Sequence, residues 1–343
     1  MQKSKKHYIQ KVAVEHYSNV DNGWKKCVPV LKKRNYIIDK SVSVGGDAPK
    51  EFIKVYEYGR SKRNNQGRWI AYIAKIGHKW YPIESITEHL LNRIGELLGL
   101  NMAHSKLAIL GNQLFFLSEY FLDSRQYELV HGVDIYAGFV IDKQFVEEIE
   151  EKALARTFFT FDFAQQAINK MFPNQAEQLI EGFVKLLFFD AIVGNNDRHF
   201  YNWAVLRHIE NKKSPTFAPI FDTARGLFWN ENEEKIMERL KHPKQLDVKI
   251  EKYAQNSMPK TGWEGEQNLN HFQLAQKLCK NDKKFSVILD DLLKQENENH
   301  VIELIDNEFK MLLSDARKEL IKHTIRYRFK ILRSFNQTQT PIL

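Results

Sequence analysis

The sequence predicts an α+β chain in two lobes, the first rich in strands and the second helical. Three observations predict it. Segments of β-branched and aromatic residues fill the chain up to residue 120, with one helical pattern among them. From Phe145 onward helical periodicity dominates. Between the two, Asp123-Ser-Arg-Gln reads as a hinge, which puts the boundary near residue 122 and divides the chain into 1–122 and 123–343. Strands and helices segregated in this way fit α+β better than an alternating βαβ chain. A chain of 343 residues is long enough to bury a large core.

Residues 1–40 are basic and weakly patterned, with Val28 to Leu31 and Tyr36 to Ile38 as short strands. Ser41-Val-Ser-Val-Gly-Gly-Asp-Ala-Pro-Lys50 is a small-residue loop closed by a lysine, and it leads into a strand over Glu51 to Tyr58. Backbone N–H groups in such a loop can cradle phosphate oxygens, and Gly45 and Gly46 allow close approach. The same residues also read as an ordinary glycine-containing turn. After a polar turn at Arg60 to Gly67, Arg68-Trp-Ile-Ala-Tyr-Ile-Ala-Lys75 gives a second strand. A lysine there is costly to bury without an anionic partner. Ser85 to Leu98 is predicted helical, since Ile86, Leu90, Leu91, Ile94, Leu97 and Leu98 share one face and Gly99 stops it. Glu88 on this helix is the expected partner of Lys75, with Glu84 as the alternative.

Leu107 to Leu110 and Gln113 to Tyr120 read as a hairpin through Gly111-Asn112, ending in Glu119-Tyr-Phe121 before the hinge. Helices are predicted over 145–155, 160–171 and 175–193, the last stopping at Gly194-Asn195-Asn196. Residues 245–267 read as irregular, and helices resume over 270–295 and 299–335. Arg317, Lys318, Arg326, Arg328, Lys330 and Arg333 make the final helix strongly basic, which reads as a solvated face or a partner surface.

A hydrophobic content of 43% and an aromatic content of 12% describe a folded chain. The net charge of +8 suits acidic partners such as nucleotide phosphates, and equally a basic solvated surface. Two cysteines far apart, Cys27 and Cys279, argue against a disulfide framework and fit a reducing compartment. The basic start has no apolar run behind it, and no segment approaches a membrane span. The expectation is a cytoplasmic protein, or one secreted without a cleavable signal peptide.

The chemistry concentrates in Asp197-Arg-His-Phe-Tyr-Asn202 and in Phe221-Asp222-Thr223. Asp197 and Asn202 stand as in the kinase loop D-x-x-x-x-N, and Asp222 follows two apolar segments later. In kinases the first Asp handles the acceptor hydroxyl proton, while the Asn and the later Asp hold Mg²⁺ against the nucleotide phosphates. The chain thus presents, in order, a phosphate loop, Lys75, Glu88, a hinge, Asp197, Asn202 and Asp222. That order matches the parts of phosphoryl transfer, in which a protein mainly positions and neutralises.

These stretches resemble the HipA-like kinases of bacteria, whose fold is shared with phosphatidylinositol kinases and, more distantly, eukaryotic protein kinases. Ser43-Val-Gly-Gly-Asp-Ala-Pro-Lys50 resembles the family's phosphate loop, in which Ser43 is the autophosphorylating position, with Ser41 a nearby alternative. Tyr72-Ile-Ala-Lys75 is similar to the ATP-lysine strand, Asp190 through Trp203 to the catalytic loop, and Ala218-Pro-Ile-Phe-Asp222 to the metal-binding segment. The resemblance implies a bilobal protein-kinase-like fold and an ATP- and Mg²⁺-dependent serine/threonine protein kinase. Asp197 would be catalytic, and Asn202 and Asp222 would hold the metal. Nucleotide would be bound by Ser43, Val44, Gly45, Gly46, Lys50, Lys75, Glu88, Glu119, Phe121 and Asn202.

Two departures stand out. Gly45-Gly46-Asp47 replaces the family's small-residue and Gln-Glu pattern, and only forty residues precede the loop where longer members carry an additional subdomain. The latter resembles compact members that act as toxin kinases or secreted effectors, with a serine- or threonine-bearing protein substrate and an antitoxin or host protein as partner. Two rivals remain. A phosphoinositide kinase shares the Asp-Arg-His-x-x-Asn pattern and suits a basic surface, although no amphipathic membrane helix is legible. A non-catalytic nucleotide- or DNA-binding module is the other, but no helix-turn-helix pattern supports direct DNA reading. His199 reads as structural. Arg198 and Arg225 would meet a phosphate or pair with local carboxylates.

Overall fold

A computed structural model of the chain describes residues 9–21, 23–42, 44, 45 and 48–337. Strands β1 (Tyr36–Ile38), β2 (Lys50–Val55), β3 (Ile70–Lys75), β4 (Ser105–Leu110) and β5 (Gln113–Glu119) form an antiparallel sheet in the order β1-β2-β3-β5-β4. Side chains alternate across a strand. In β3, Tyr72 and Ala74 therefore enter the core, while Ile73 and Lys75 face a cleft. The helix Ile83–Leu97 packs against β4 and β5 through Ile86, Leu90, Leu91 and Ile94, all fully buried. It ends where Gly99 takes a positive φ of 75°, a conformation that favours glycine.

The second lobe is built around the helix Ala176–Val193, whose faces are buried nearly all round. An all-round apolar helix must lie inside. Gly194 terminates it at φ 69° and donates to the Asp190 carbonyl at 2.7 Å. Strands β6 (Tyr127–His131), β7 (Ala204–His208) and β8 (Thr216–Phe217) make a small antiparallel sheet beside it. No helix among the described residues is long and apolar enough to cross a membrane.

Several expectations are corrected. Val28 to Leu31 is not a strand; Val30 forms an isolated parallel bridge to Ile109 at the edge of β4. The stretch from 245 is not irregular throughout, because Pro243–Gln255 is a helix that buries Leu246, Ile250 and Ala254. Those apolar residues stand four apart, and the lysines and glutamines between them hide the stripe. A helix at Glu233–Leu240, which the sequence reading did not anticipate, is opened by Asn232, whose side chain accepts from the Lys235 N–H. The segments 270–295 and 299–335 each divide in two, into His271–Asn281 and Lys283–Leu292, then Gln295–Asn307 and Asp315–Gln337. The basic final helix is not simply a solvated face. Arg317 and Arg328 are fully buried. Arg317 pairs with Glu233 at 2.7 Å and donates to the carbonyls of Phe228 and Glu231.

Candidate active site

A cleft of about 970 Å³ is lined by residues of both lobes. β2 and β3 bring Lys50 and Lys75 opposite each other in register, and both line it. Lys75 Nζ donates to Asp222 Oδ1 at 2.7 Å and to Glu88 Oε1 at 3.1 Å. Glu84, the alternative partner, instead accepts from the backbone N–H groups of Lys79 and Trp80. Burial alone would strip the charge from Lys75, but Asp222 and Glu88 hold it protonated above the ordinary lysine range. The Lys75 charge in turn keeps the Asp222 carboxyl well below the usual carboxylate range, with Lys50 and Arg198 adding to it. Burial pushes Glu88 up to about 7, against the pull of Lys75.

The Asp197–Asn202 loop hangs from the stopped helix and is braced from beneath. Arg198 is buried, donating to Asp190 at 3.0 and 3.2 Å and to the carbonyls of Asn202 and Phe221 at 2.7 Å each. A single guanidinium thus joins the helix, the loop and the Asp222 segment. The fork of five donors is what allows it, and lysine has no equivalent. Asn195 donates to Asp190 at 2.9 Å, and Asn196 accepts from Ser257 at 2.7 Å. Arg225 lies 3.2 Å from Asp197. His199 is half-buried within the loop, and burial keeps it below the ordinary imidazole range. Its Nε2 faces the Asn202 amide nitrogen at 3.1 Å. That nitrogen also donates to the Asp197 carbonyl at 2.8 Å, and the Asn202 side-chain oxygen carries no hydrogen bond among the described residues. Asp222 itself has φ 55°, a region that Asp and Asn enter more readily than most residues.

The HipA-like C-terminal domain family matches residues 42–299, which is most of the chain. The chain belongs to the HipA-like family. Among solved structures it is similar to the Helicobacter pylori proinflammatory kinase CtkA, with a TM-score of 0.68 at 18% identity, covering 88% of this chain and 96% of that one. It also matches the Shewanella oneidensis MR-1 toxin–antitoxin complex of HipA, HipB and operator DNA, with a TM-score of 0.49 at 14% identity over 86% of this chain and 65% of that one. No curated protein matches it. The fold is therefore the bilobal HipA-like kinase fold, with its strand-rich and helical lobes.

Within this HipA-like cleft the expected residues meet. Val44, Gly45, Lys50, Lys75, Glu119, Phe121, Asp197, Asn202 and Asp222 all line it, and Glu88 reaches it through Lys75. Ser43 and Gly46 lie outside the described residues. Ser41 is exposed, and its hydroxyl donates to Asp39 at 2.5 Å. Among the described residues, a Cβ on Gly45 would meet nothing within 4 Å. The Glu119 carboxylate is engaged by Arg60 at 2.8 and 3.0 Å, and its backbone N–H donates to the His104 carbonyl at 2.7 Å. Phe121 sits with its ring 6.1 Å from that of Phe221 and links the hinge to the Asp222 segment. Sequence reasoning missed Arg156, Lys260, Leu129 and His131, which also line the cleft. No local pattern marks them, because each comes from a segment whose own residues look unremarkable.

The site's oxygen donors suit a hard divalent cation. The Asn202 side-chain oxygen and the Asp222 carboxylate stand in one cleft with Lys50 and Lys75. Mg²⁺ takes one or two such protein ligands and completes its shell with substrate phosphates and water.

Proposed function

We propose that the protein is an ATP- and Mg²⁺-dependent serine/threonine protein kinase of HipA-like type. The observation that carries the reading is Lys75, bridged between Glu88 and Asp222 in the cleft that also holds Asp197 and Asn202. Lys75, with Lys50 near it, meets the phosphates of ATP, and Glu88 fixes its direction. Asn202 and Asp222 would hold Mg²⁺, which would supply positive charge against the phosphate oxygens. The acceptor oxygen bonds to the γ-phosphorus as the β–γ bridging bond breaks, ADP leaves, and the hydroxyl proton passes to the Asp197 carboxylate. Arg225, 3.2 Å away, orients that carboxylate. Serines of the phosphate loop, Ser43 or Ser41, are the self-modification sites, and the protein acts as a toxin or effector kinase on a protein of its host or its own cell.

The test is phosphate incorporation from labelled ATP with Mg²⁺, with sites read by mass spectrometry, in wild type and Asp222→Ala. Incorporation into serine or threonine is expected in wild type and should fall about 10²- to 10³-fold in the variant. Equal labelling of both proteins would overturn the reading.

A further inference from the structure

The cations lining the cleft are not evenly matched. Lys75 faces Glu88 and Asp222, and Arg225 faces Asp197. Arg156 and Lys260 line the same cleft as Asp197, and neither has a carboxylate at ion-pair distance among the described residues. Arg156 is half-buried. Its Nη2 donates to the Leu269 carbonyl at 2.8 Å, while its Nε is shut away from solvent with no partner. Burial lowers its pKa with no opposing carboxylate to restore it. A guanidinium left so exposed to desolvation is expensive unless an anion arrives. Lys260 is exposed and lines the cleft together with Asp197 and His199.

The two are held as one unit. Phe161 N donates to the Gly262 carbonyl at 3.0 Å, and Thr160 and Gly262 form a parallel bridge. Gly262 backs onto Arg156 so closely that an added Cβ would stand 1.9 Å from the Arg156 carbonyl oxygen. The segment carrying Arg156 is thus strapped to the segment carrying Lys260, beside the loop that holds Asp197.

We propose that Arg156 and Lys260 form an anion subsite for the acceptor, so that the protein selects serine or threonine hydroxyls in peptide segments carrying an acidic side chain nearby. This rests on the kinase reading and names its substrate class. Two unmatched cations balance one carboxylate with a charge to spare. A polyphosphorylated inositol headgroup brings more negative charge than this pair can match, which favours the peptide.

The experiment uses the full chain and a positional-scanning library of fluorescent serine peptides in which one Asp is compared with Asn at each flanking position, with phosphoserine and neutral controls. Binding is read by anisotropy in the presence of a non-hydrolysable ATP analogue, and transfer is read separately with ATP. At one or more positions Asp should bind about tenfold tighter than Asn. Lys260→Glu should remove that preference and favour Lys there instead, and Arg156→Gln should reduce it. Lys260 is exposed, so its variant tests the subsite without threatening the core, and melting temperature serves as the fold control for both.

An unchanged Asp preference in both variants, or equal binding of Asp and Asn peptides at every position, would overturn the subsite. So would transfer to phosphatidylinositol 4-phosphate vesicles but to no peptide. Charge-dependent binding with no transfer to any acceptor would leave the subsite standing and overturn the kinase reading instead.

Discussion

Arg198 has two carboxylate bonds and two carbonyl bonds in an interior where only 2% of it meets solvent. Burial pushes the Asp190 carboxyl upward, and Arg198 is what draws it back. Arg198→Met would strand that carboxylate, and breaking a buried pair from one side costs about 3–5 kcal/mol. Denaturant unfolding should register that loss, and Asp190→Asn in the same chain should recover part of it. His89 gives a second test at this scale. Burial, with the Arg93 charge beside it, takes its imidazole from 6.5 down to about 4, and its Nδ1 lies 2.9 Å from Ser105 Oγ. The unfolded chain takes up a proton as pH falls through 6.5, whereas the folded chain resists until about 4. Stability should therefore drain away across that window, by up to about 3 kcal/mol. His89→Gln should flatten the acid limb of a stability–pH curve, and an unchanged slope would assign the limb to other groups. At this scale the sequence exposed Lys75 and Glu88 because burying a strand lysine demands a partner, and Asp222 through its place after Asp197 and Asn202; that Asp222 also pairs with Lys75 was not legible. Arg156 and Lys260 stayed hidden because nothing nearby in sequence demands theirs.

Elements whose apolar residues stand close together were legible, and diluted ones were not. The helix Ile83–Leu97 shows six apolar residues on one face, so its position follows within two residues of expectation. Pro243–Gln255 carries its stripe on Leu246, Ile250 and Ala254 among ten other residues, mostly polar, so its pattern passed for a loop. Its burial means that Leu246→Ala or Ile250→Ala should cost about 2–5 kcal/mol each by denaturant unfolding, whereas an irregular surface segment would lose little. Gly226 tests the turn after Asp222. A Cβ there would stand 2.6 Å from the Val193 carbonyl oxygen, a backbone atom that cannot rotate aside. Because Asn196 N donates to the Arg225 carbonyl at 3.1 Å, displacement there reaches the Asp197 loop directly. Gly226→Ala should cost about 1–3 kcal/mol and lower phosphotransfer beyond what unfolding explains, read as kcat on the folded fraction.

At the scale of the whole molecule, the boundary near residue 122 is a statement about sequence order, and the packing crosses it. The helix Gln295–Asn307 lies against Ile83–Leu97, Arg93 grips Glu308 at 3.0 Å through two nitrogens, and Phe309 packs against His89. The Ala103 N–H donates to the Ile220 carbonyl at 2.9 Å, which ties the first lobe to the Asp222 segment. Contacts across two hundred residues leave no local signature, which is why the sequence conveyed two lobes and not how they are joined. These ties hold the two sides of the cleft together while the cations along its wall remain short of negative charge. A polyanion with its metal should therefore stabilise the folded chain as a unit. At a ligand concentration one hundred times its Kd, mass action adds about 2.7 kcal/mol to folding. With Mg²⁺ and a non-hydrolysable ATP analogue, a corresponding rise in melting temperature is expected. Chelating the metal should remove most of it, and Lys75→Met should remove it while the unliganded variant still melts cooperatively. A rise of equal size in Lys75→Met would place the nucleotide elsewhere, and the bridge from Glu88 through Lys75 to Asp222 would then be an internal brace instead of a phosphate site.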